Sequence, residues 1–325
     1  MILYLNLKNK MFTKTFNQIS KKNVEIAGGK GASLGEMTQA KILVPPGFVV
    51  LATVFDKFLE ETDIGVEIEA IMHKVKHDDI HSIEKASEKI LDLIYDVEFP
   101  KDIGEEVIRQ FSKLKTKFVA VRSSATAEDS SIASWAGELE SYLNTTDKTL
   151  LENIKKCWAS LFTPRAIFYR HEKKLHKQKV SVAVVVQKMV QAEVSGICFT
   201  THPVTNDKDQ IVIEAGYGLG EAIVGGIITP DTYVVHSYKN HFDILDVNIS
   251  KQIIMIIKGS TGTKEVKIPK SKQEKQKLTN KQILKLAEIC QNIENHYKFP
   301  QDIEWVYEGG KFYIVQSRPI TTLGS

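Results

Sequence analysis

The chain has few residues of the kinds that mark several large classes of protein. Its 325 residues include three cysteines, which lie far apart without a C-x-x-C pair, so neither a disulfide framework nor a zinc site is indicated. No apolar run is long enough for a signal peptide or a membrane span. The net charge is only +3, and no basic stripe suggests nucleic acid. We therefore expect a globular cytoplasmic protein without nucleic-acid or membrane partners.

Arginine is scarce as well. Only five of the 43 basic residues are arginines, so the chain uses lysine for most of its positive charge. An arginine side chain presents a planar fork of donors that lysine lacks. Each arginine therefore indicates a place where a bidentate contact is needed, and Arg122 and Arg318 are two of the five.

Apolar sequence is sufficient for buried cores. Hydrophobic residues make up 42% of the chain, and its length corresponds to two domains at roughly 150 residues each. The periodicity predicts helices and strands in mixed order, which is an α+β fold of two lobes. We place the lobes at residues 1–190 and 191–325, and a helical subdomain near 54–117 lies in the first.

Four segments predict particular elements. A glycine-rich turn leads into an amphipathic helix over 28–42. A second helix, over 147–172, has a plausible cap at Asp147. Residues 258–278 are lysine-rich and polar, which predicts a loop or a mobile flap. A helix over 279–297 begins with a capping-box sequence.

Residues 301–318 read QDIEWVYEGGKFYIVQSR, two alternating runs about a Gly-Gly turn, which predicts a β-hairpin. If the loop is the three-residue Gly-Gly-Lys segment, Glu304 lies opposite Gln316 and Asp302 lies opposite Arg318. A two-residue loop would break that register. Two carboxylates, an amide oxygen and a guanidinium on one patch can hold a hard divalent cation against phosphate oxygens. The alternative is the solvated face of an edge hairpin.

Two further segments indicate an anion. In GGKGASLGE, Lys30 lies in a glycine turn at a helix start, where backbone N–H groups and the helix dipole favour negative charge. The segment is not a Walker A motif, because Val24 replaces its first glycine and Gly31 replaces its Ser or Thr. In VRSSATAEDSSIASWAGE, Arg122 ends a strand, and the small residues after it let the backbone approach a ligand. An ordinary helix cap and a bland surface loop are the alternatives.

The segment EAGYGLGEAIVGG is not a dinucleotide-binding motif, because Glu221 stands in place of its third glycine. Its glycines instead let the loop after a strand lie against another segment or a nucleotide. Glu214 and Glu221 are candidates to contact a ribose hydroxyl or a metal ion.

Taken together, GGKGASLGEM, AVRSSATAED, ASWAGELESYL, IEAGYGLGEAIV, TPDTYVV and IVQSRPIT resemble the N-terminal nucleotide-binding domain of the phosphoenolpyruvate synthase and pyruvate phosphate dikinase family. Rifampicin phosphotransferases share this domain. The resemblance runs from about residue 17 to 323, in order and with compatible spacings. It implies an ATP-grasp fold, in which two α+β lobes clamp ATP, with ATP and Mg²⁺ as cofactors.

The same resemblance implies a role for most of the candidate residues. Arg122 and Arg318 would be the catalytic residues. The implied roles are phosphate contact for Lys30 and Arg122, cover over the phosphates for Ala136 and Gly137, adenine contact for Gln187, Met189 and Val190, magnesium ligation for Glu304 and Gln316, grip on the transferring phosphates for Arg318, and support for Asp302.

In this family, phosphate passes from ATP to a histidine on a swivelling domain, in a Thr-x-x-Ser-His-Ala type segment, and then to pyruvate or a drug on a third domain. None of the nine histidines lies in such a segment. We therefore expect an ATP-dependent phosphotransferase half whose histidine and pyruvate or phosphoenolpyruvate domains act in cis or in trans. The chain would be an excised domain or a stand-alone product. A rifampicin phosphotransferase or dikinase domain, a nucleotide-sensing module and a structural protein are the alternatives.

Overall fold

The computed structural model describes residues 11–126, 140–174, 181–239, 241–260 and 262–320. The chain divides into two compact units, which are Met1–Gly35 with Pro46–Lys188, and Glu36–Pro45 with Met189–Ser325. The strand pairs formed by the described residues are antiparallel, and helices pack beside them. The fold is therefore α+β, as predicted. In the described part of the chain, no helix combines the length and apolarity needed to cross a membrane.

The first unit contains a five-stranded sheet with the order β1-β2-β5-β3-β4. Its strands are β1 (Thr13–Thr15), β2 (Gly47–Val50), β3 (Val119–Ala125), β4 (Ser141–Thr145) and β5 (Val182–Lys188). All seven residues of β3 are buried, and β4 and β5 pair with it on both sides. This strand is therefore a firm support for any side chain that it carries.

Among the described residues, seven helices accompany this sheet. They are α1 (Val24–Gln39), whose last residues belong to the second unit, and α2 (Ala52–Glu61), α3 (Ile64–Met72), α4 (Ile80–Asp96), α5 (Lys101–Lys113), α6 (Leu150–Ala159) and α7 (Pro164–Glu172). Four of them, α2 to α5, occupy the region predicted to be helical. Trp158 in α6 is fully buried, and its ring packs against Phe58 and Phe99 at centroid distances of 4.9 and 5.5 Å.

The prediction of one helix over 147–172 with a cap at Asp147 is wrong. The segment forms α6 and α7 with a short 3-10 turn, Ser160–Phe162, between them. Asp147 lies before α6, and its carboxylate accepts a hydrogen bond from the next backbone N–H. Thr163 ends the first helical stretch and caps the second, because its hydroxyl accepts a hydrogen bond from Ala166 N and Pro164 suits the first helical position.

The second unit contains a six-stranded sheet with the order β13-β12-β6-β7-β8-β9, and a separate hairpin of β10 and β11. The elements are β6 (Val194–Phe199), β7 (Gln210–Tyr217), α8 (Glu221–Val224), β8 (Asp231–Tyr238), β9 (His241–Asn248), β10 (Ile254–Lys258), β11 (Thr263–Lys267), α9 (Asn280–Tyr297), β12 (Gln301–Glu308) and β13 (Lys311–Pro319). The predicted capping box of α9 is confirmed, since Thr279 and Gln282 exchange the expected hydrogen bonds.

The prediction of a loop or flap over 258–278 is wrong for much of its length. The segment contains β11 and a 3-10 turn, and Ile268, Lys277 and Leu278 within it are buried. Lysine is frequent there because β11 belongs to a two-stranded hairpin with several exposed positions. The polar composition of this segment therefore did not indicate that it contains a strand and three buried residues.

Candidate functional site

The hairpin of β12 and β13 has the predicted register. Asp302 lies opposite Arg318, and Glu304 lies opposite Gln316. Residues two apart on a strand point to the same face, so each strand places its two polar side chains together. The four side chains that the sequence predicts to share a patch therefore lie on one face of the sheet.

The predicted three-residue loop of this hairpin is wrong. The loop contains only Gly309 and Gly310, whose φ angles of 57° and 80° suit a two-residue turn. The register survives because Val315 is an extra residue, which forms a β-bulge. Trp305 pairs with Ile314, and the next pair is then shifted by one position. The shorter loop and the bulge compensate each other.

Glu304 and Gln316 belong to a row of paired residues that crosses the six-stranded sheet. Glu304 pairs with Ile197 in β6, Ile197 pairs with Glu214 in β7, and Glu214 pairs with Thr232 in β8. Directly paired side chains in neighbouring strands share a face. The structure thus brings Glu214 onto the face that carries Glu304 and Gln316, which sequence patterns alone did not relate to it. We call this the polar row.

The neighbouring row points to the opposite face of the sheet. Its members Ile303, Cys198, Ile213 and Tyr233 are paired in turn and fully buried. Helix α9 packs against β7, β8, β9 and β12. Burial raises the pKa of the Cys198 thiol, and the neighbouring thiol of Cys290 in this helix raises it further. Helix α9 therefore covers the apolar face, and the polar row lies on the other one.

Asp302 and Arg318 form an ion pair beside the polar row. Arg318 Nε donates to Asp302 Oδ2 at 2.9 Å, and Nη2 lies 2.7 Å from the same oxygen. Burial raises the pKa of Asp302 and the nearby Glu304 carboxylate raises it further, whereas Arg318 lowers it. The guanidinium therefore compensates only in part for placing this carboxylate in a buried position.

Glu214 is also shifted towards its neutral form. Burial raises the pKa of this carboxyl group, and the negative charge of Asp302 raises it further. Carboxylates that repel one another on a half-buried surface are stabilised by a cation that reaches them. The electrostatics of this face therefore favour a positive ligand.

Glu304 and Gln316 offer oxygen ligands of the kind that Mg²⁺ prefers. Mg²⁺ binds through one or two carboxylates and takes its other ligands from phosphates and water. In the described ranges, no group of three or more His, Cys, Asp and Glu side chains is arranged to hold a metal ion. One carboxylate and one amide oxygen would leave the other ligand positions of such an ion to phosphate and water.

Glu221 is not a member of the polar row and lies at the exposed start of α8. The loop before it packs closely against β10, since Leu219 N donates to Ile256 O at 2.8 Å. A Cβ atom on Gly218 would lie 2.5 Å from the same carbonyl oxygen. The prediction that these glycines let the loop lie against another segment is confirmed, and the two glutamates of the motif lie in different settings.

In the first unit, α1 is broken just before Lys30. Gly28 has φ 68° and ψ 172°, a conformation that side chains other than glycine rarely adopt. The predicted glycine turn into a helix is therefore confirmed, and Gly28 separates this helix from a short helical segment that begins at Val24. Lys30 lies in the first turn after this kink, in a half-buried position.

Ser124, which no pattern in the sequence indicated as a functional residue, lies at this kink. Its hydroxyl accepts a hydrogen bond from Gly31 N at 3.2 Å and donates one to Ala27 O at 3.0 Å. Ser124 belongs to the small-residue segment RSSA of β3, which was the only sign of it in the sequence. Its hydrogen bonds to α1 join residues more than 90 positions apart. No local pattern could have identified it.

Arg122 lies two residues before Ser124 on β3. It is 9% exposed and pairs with Ser141 in β4 and Val185 in β5. Because residues two apart share a face of a strand, Arg122 and Ser124 point the same way. The sequence predicts that Arg122 ends a strand, whereas β3 continues to Ala125.

The predicted adenine-contacting residues occupy the end of β5 and the segment after it. Gln187 is 2% exposed and pairs with Gly47 and Ala120. Met189 and Val190 follow β5 and belong to the second unit, and Val190 is 8% exposed. Two further candidates, Ala136 and Gly137, lie outside the described residues.

Residues 24–325 match the family model described as "Pyruvate phosphate dikinase, AMP/ATP-binding domain". The chain is 45% identical over 320 residues to a probable phosphoenolpyruvate synthase of Methanocaldococcus jannaschii, covering 96% of this chain and 27% of that protein. It is 41% identical over 360 residues to the phosphoenolpyruvate synthase of Pyrococcus furiosus, with 96% and 44% covered. A rifampicin phosphotransferase of Bacillus subtilis is 40% identical over 311 residues, with 94% and 36% covered. The chain therefore spans less than half the length of these relatives.

Proposed function

Because the chain belongs to the pyruvate phosphate dikinase AMP/ATP-binding domain family, we propose that it binds ATP with Mg²⁺ and transfers phosphate to a histidine on another domain or chain. The observation that carries this proposal is the polar row, in which Gln316, Glu304 and Glu214 share one face of a sheet beside the Asp302–Arg318 pair. Such a face suits a metal-bound triphosphate better than any neutral ligand.

Each candidate residue has a role in this proposal. Glu304 and Gln316 hold the metal ion, and Arg318, oriented by Asp302, contacts the transferring phosphates. Lys30 and Arg122 contact phosphate oxygens from the first unit. The residues proposed for the rest of the nucleotide are Gln187, Met189 and Val190 for adenine, Glu214 and Glu221 for ribose or metal, and Ala136 and Gly137 for cover over the phosphates.

Phosphoryl transfer requires little covalent chemistry from the protein. Catalysis consists mainly of positioning the reacting groups and neutralising the charge on the phosphate oxygens. Arg122 and Arg318 supply fixed positive charge with a planar fork of donors, and a bound magnesium ion would neutralise further negative charge. An ATP-grasp arrangement of the two units belongs to this proposal.

The acceptor and the final product are further parts of the proposal. The names of the archaeal relatives favour phosphoenolpyruvate synthesis, in which a swivelling histidine domain carries phosphate to a domain that binds pyruvate or phosphoenolpyruvate. The Bacillus relative favours rifampicin as the alternative substrate. We place the activity in the cytoplasm, where the free and buried Cys157, Cys198 and Cys290 would stay reduced.

Calorimetry with ATP in the presence and absence of Mg²⁺ tests nucleotide binding. We expect Mg²⁺ to tighten ATP binding, and we expect Glu304→Gln to remove most of this increase because a neutral amide is a weaker magnesium ligand. Glu265→Gln on the exposed surface of β11 is the matched control and should behave as wild type. Absence of ATP binding by the wild-type chain at millimolar concentration would contradict the proposal.

Transfer is tested by supplying a histidine domain of the family as a separate protein. With ATP and Mg²⁺ present, we expect AMP and an acid-labile phosphohistidine on the added domain. If the chain binds ATP with Mg²⁺ but never phosphorylates such a domain, it is a nucleotide-sensing module and the transferase proposal is wrong.

A further inference from the structure

The break in α1 has a specific cause in a different element. In a continuous helix, Gly31 N–H would donate to Ala27 C=O, four residues earlier. Here the hydroxyl of Ser124 bridges these two backbone groups, since it accepts a hydrogen bond from Gly31 N and donates one to Ala27 O. A side chain inserted into the backbone ladder is a recognised cause of a helix kink. The kink is therefore held by β3.

The backbone at Gly28 matches this insertion closely. A Cβ atom at position 28 would lie 2.1 Å from Ser124 Oγ and 2.3 Å from Ser124 O. Glycine is therefore required both by the positive φ angle and by the space that the serine occupies. Ser124 is itself 0% exposed, so water does not compete for its two hydrogen bonds.

The same contact relates two proposed phosphate-binding residues. Lys30 immediately precedes Gly31, whose N–H is held by Ser124. Arg122 lies two residues from Ser124 on a strand that is paired on both sides. The helical turn that begins after Gly28 and contains Lys30, here called the Lys30 turn, is thus hydrogen-bonded to the strand that carries Arg122.

We propose that Ser124 is a positioning residue that holds the Lys30 turn against β3, so that Lys30 and Arg122 contact the same phosphate group. This inference rests on the proposed binding of ATP. Ser124 does not touch the nucleotide in this scheme. It acts by fixing the backbone on both sides of the kink, because its one hydroxyl is hydrogen-bonded to Ala27 O before the kink and to Gly31 N after it.

Calorimetry with ATP and Mg²⁺ on four variants tests this role. They are Ser124→Ala, Lys30→Ala, the double variant and Ser123→Ala. Ser123 is the matched control, because it is 1% exposed, lies next to Ser124 on β3, and donates from its hydroxyl to Glu140 O at 2.9 Å. A general effect of losing a buried serine hydrogen bond would therefore appear in both serine variants.

We expect Ser124→Ala to weaken ATP binding about tenfold and Ser123→Ala to leave it within about twofold of wild type. In the Lys30→Ala background, Ser124→Ala should have little further effect, because residues that act through one another are not additive. A full additional loss in that background, or equal affinities for the two serine variants, would overturn the inference while leaving ATP binding established.

Hydrogen exchange in the nucleotide-free chain provides a readout that does not depend on ATP. We expect faster exchange at Gly31 N–H in Ser124→Ala than in wild type, and no change in Ser123→Ala. Ser124→Cys, which keeps the side-chain size and only a weak hydrogen-bonding group, serves as the second variant and should show the same direction. Unchanged exchange at Gly31 in both Ser124 variants would show that the hydroxyl does not hold the turn.

Discussion

Lys277 Nζ lies 2.7 Å from Asp231 Oδ1, and both side chains are completely buried. The carboxylate also accepts hydrogen bonds from Tyr233 OH at 2.8 Å and from Ser250 N at 2.9 Å. The ammonium group donates in addition to Ser250 O at 2.6 Å. Two opposite charges are thus enclosed in the second unit with their hydrogen-bonding groups satisfied, and the pair joins β8 to the segment before α9.

Replacing one partner of this pair should destabilise the protein strongly. We expect Asp231→Ala to lower the free energy of unfolding by about 3–5 kcal/mol, because it leaves the Lys277 ammonium buried without its counter-ion. Denaturation by urea measures the effect. Lys285→Ala is the control, since Lys285 pairs with Glu288 at 2.8 Å on an exposed face of α9, and its loss should cost less than about 1 kcal/mol. Equal losses in the two variants would contradict the expected difference.

Local patterns in the sequence predicted the elements that depend on local chemistry. The capping box of α9 and the alternation of β12 are set by neighbouring residues, and both are confirmed. The Lys277–Asp231 pair was not predicted, because its members are 46 positions apart and Lys277 lies in a segment whose composition resembles a loop.

The candidate site shows the same limit. The register of the hairpin was predicted correctly through a wrong loop length, because the bulge at Val315 is invisible to an alternating pattern of polar and apolar residues. The alignment of Glu214 with Glu304 depends on the strand order of the whole sheet. The insertion of Ser124 into α1 depends on a contact between distant elements. Residue types were readable from the sequence, but their relative positions depend on tertiary pairing.

Substitutions in the turn of the β12–β13 hairpin should change the free energy of unfolding according to how well the new residue tolerates a positive φ angle. Gly309 and Gly310 have positive φ angles, and a Cβ atom at either would meet nothing within 4 Å. We expect Gly310→Ala to lower the free energy of unfolding by about 1–2 kcal/mol through backbone strain alone. Gly309→Asn should change it by less than about 0.5 kcal/mol, because Asn-Gly is a favoured sequence for this turn. Urea denaturation of both variants checks this, and equal effects would argue against strain as the cause.

The pH dependence of stability should reveal the raised pKa of the Glu214 carboxyl group. Its pKa is raised in the folded protein by burial and by Asp302. Protonated Glu214 therefore contributes to the free energy of unfolding at a pH below 4.5, the ordinary pKa of a glutamate side chain. This contribution is lost as the pH rises through the raised pKa of the folded protein. Glu214→Gln stays neutral, so we expect it to be more stable than wild type at pH 7, with a difference that disappears towards pH 4.5.

Denaturation curves at several pH values measure this difference. In the Asp302→Asn background the gain from Glu214→Gln at pH 7 should be smaller, because one cause of the raised pKa has been removed. A gain that is independent of pH would show that the substitution acts through packing and not through charge.

Arg318→Lys should weaken the binding of ATP with Mg²⁺ although the positive charge is kept. Arg318 directs Nε and Nη2 to Asp302 Oδ2, which fixes the plane of the guanidinium, and a lysine ammonium cannot reproduce this fork. We expect a loss of affinity of about tenfold or more in calorimetry, because bidentate contacts to phosphate are charge-assisted and geometrically specific. Arg109→Lys is the control, since the Arg109 side chain is 65% exposed and lies 4.0 Å from Glu106. Wild-type affinity in Arg318→Lys would mean that only charge matters at this position, and the proposed phosphate contact through a planar fork would then be wrong.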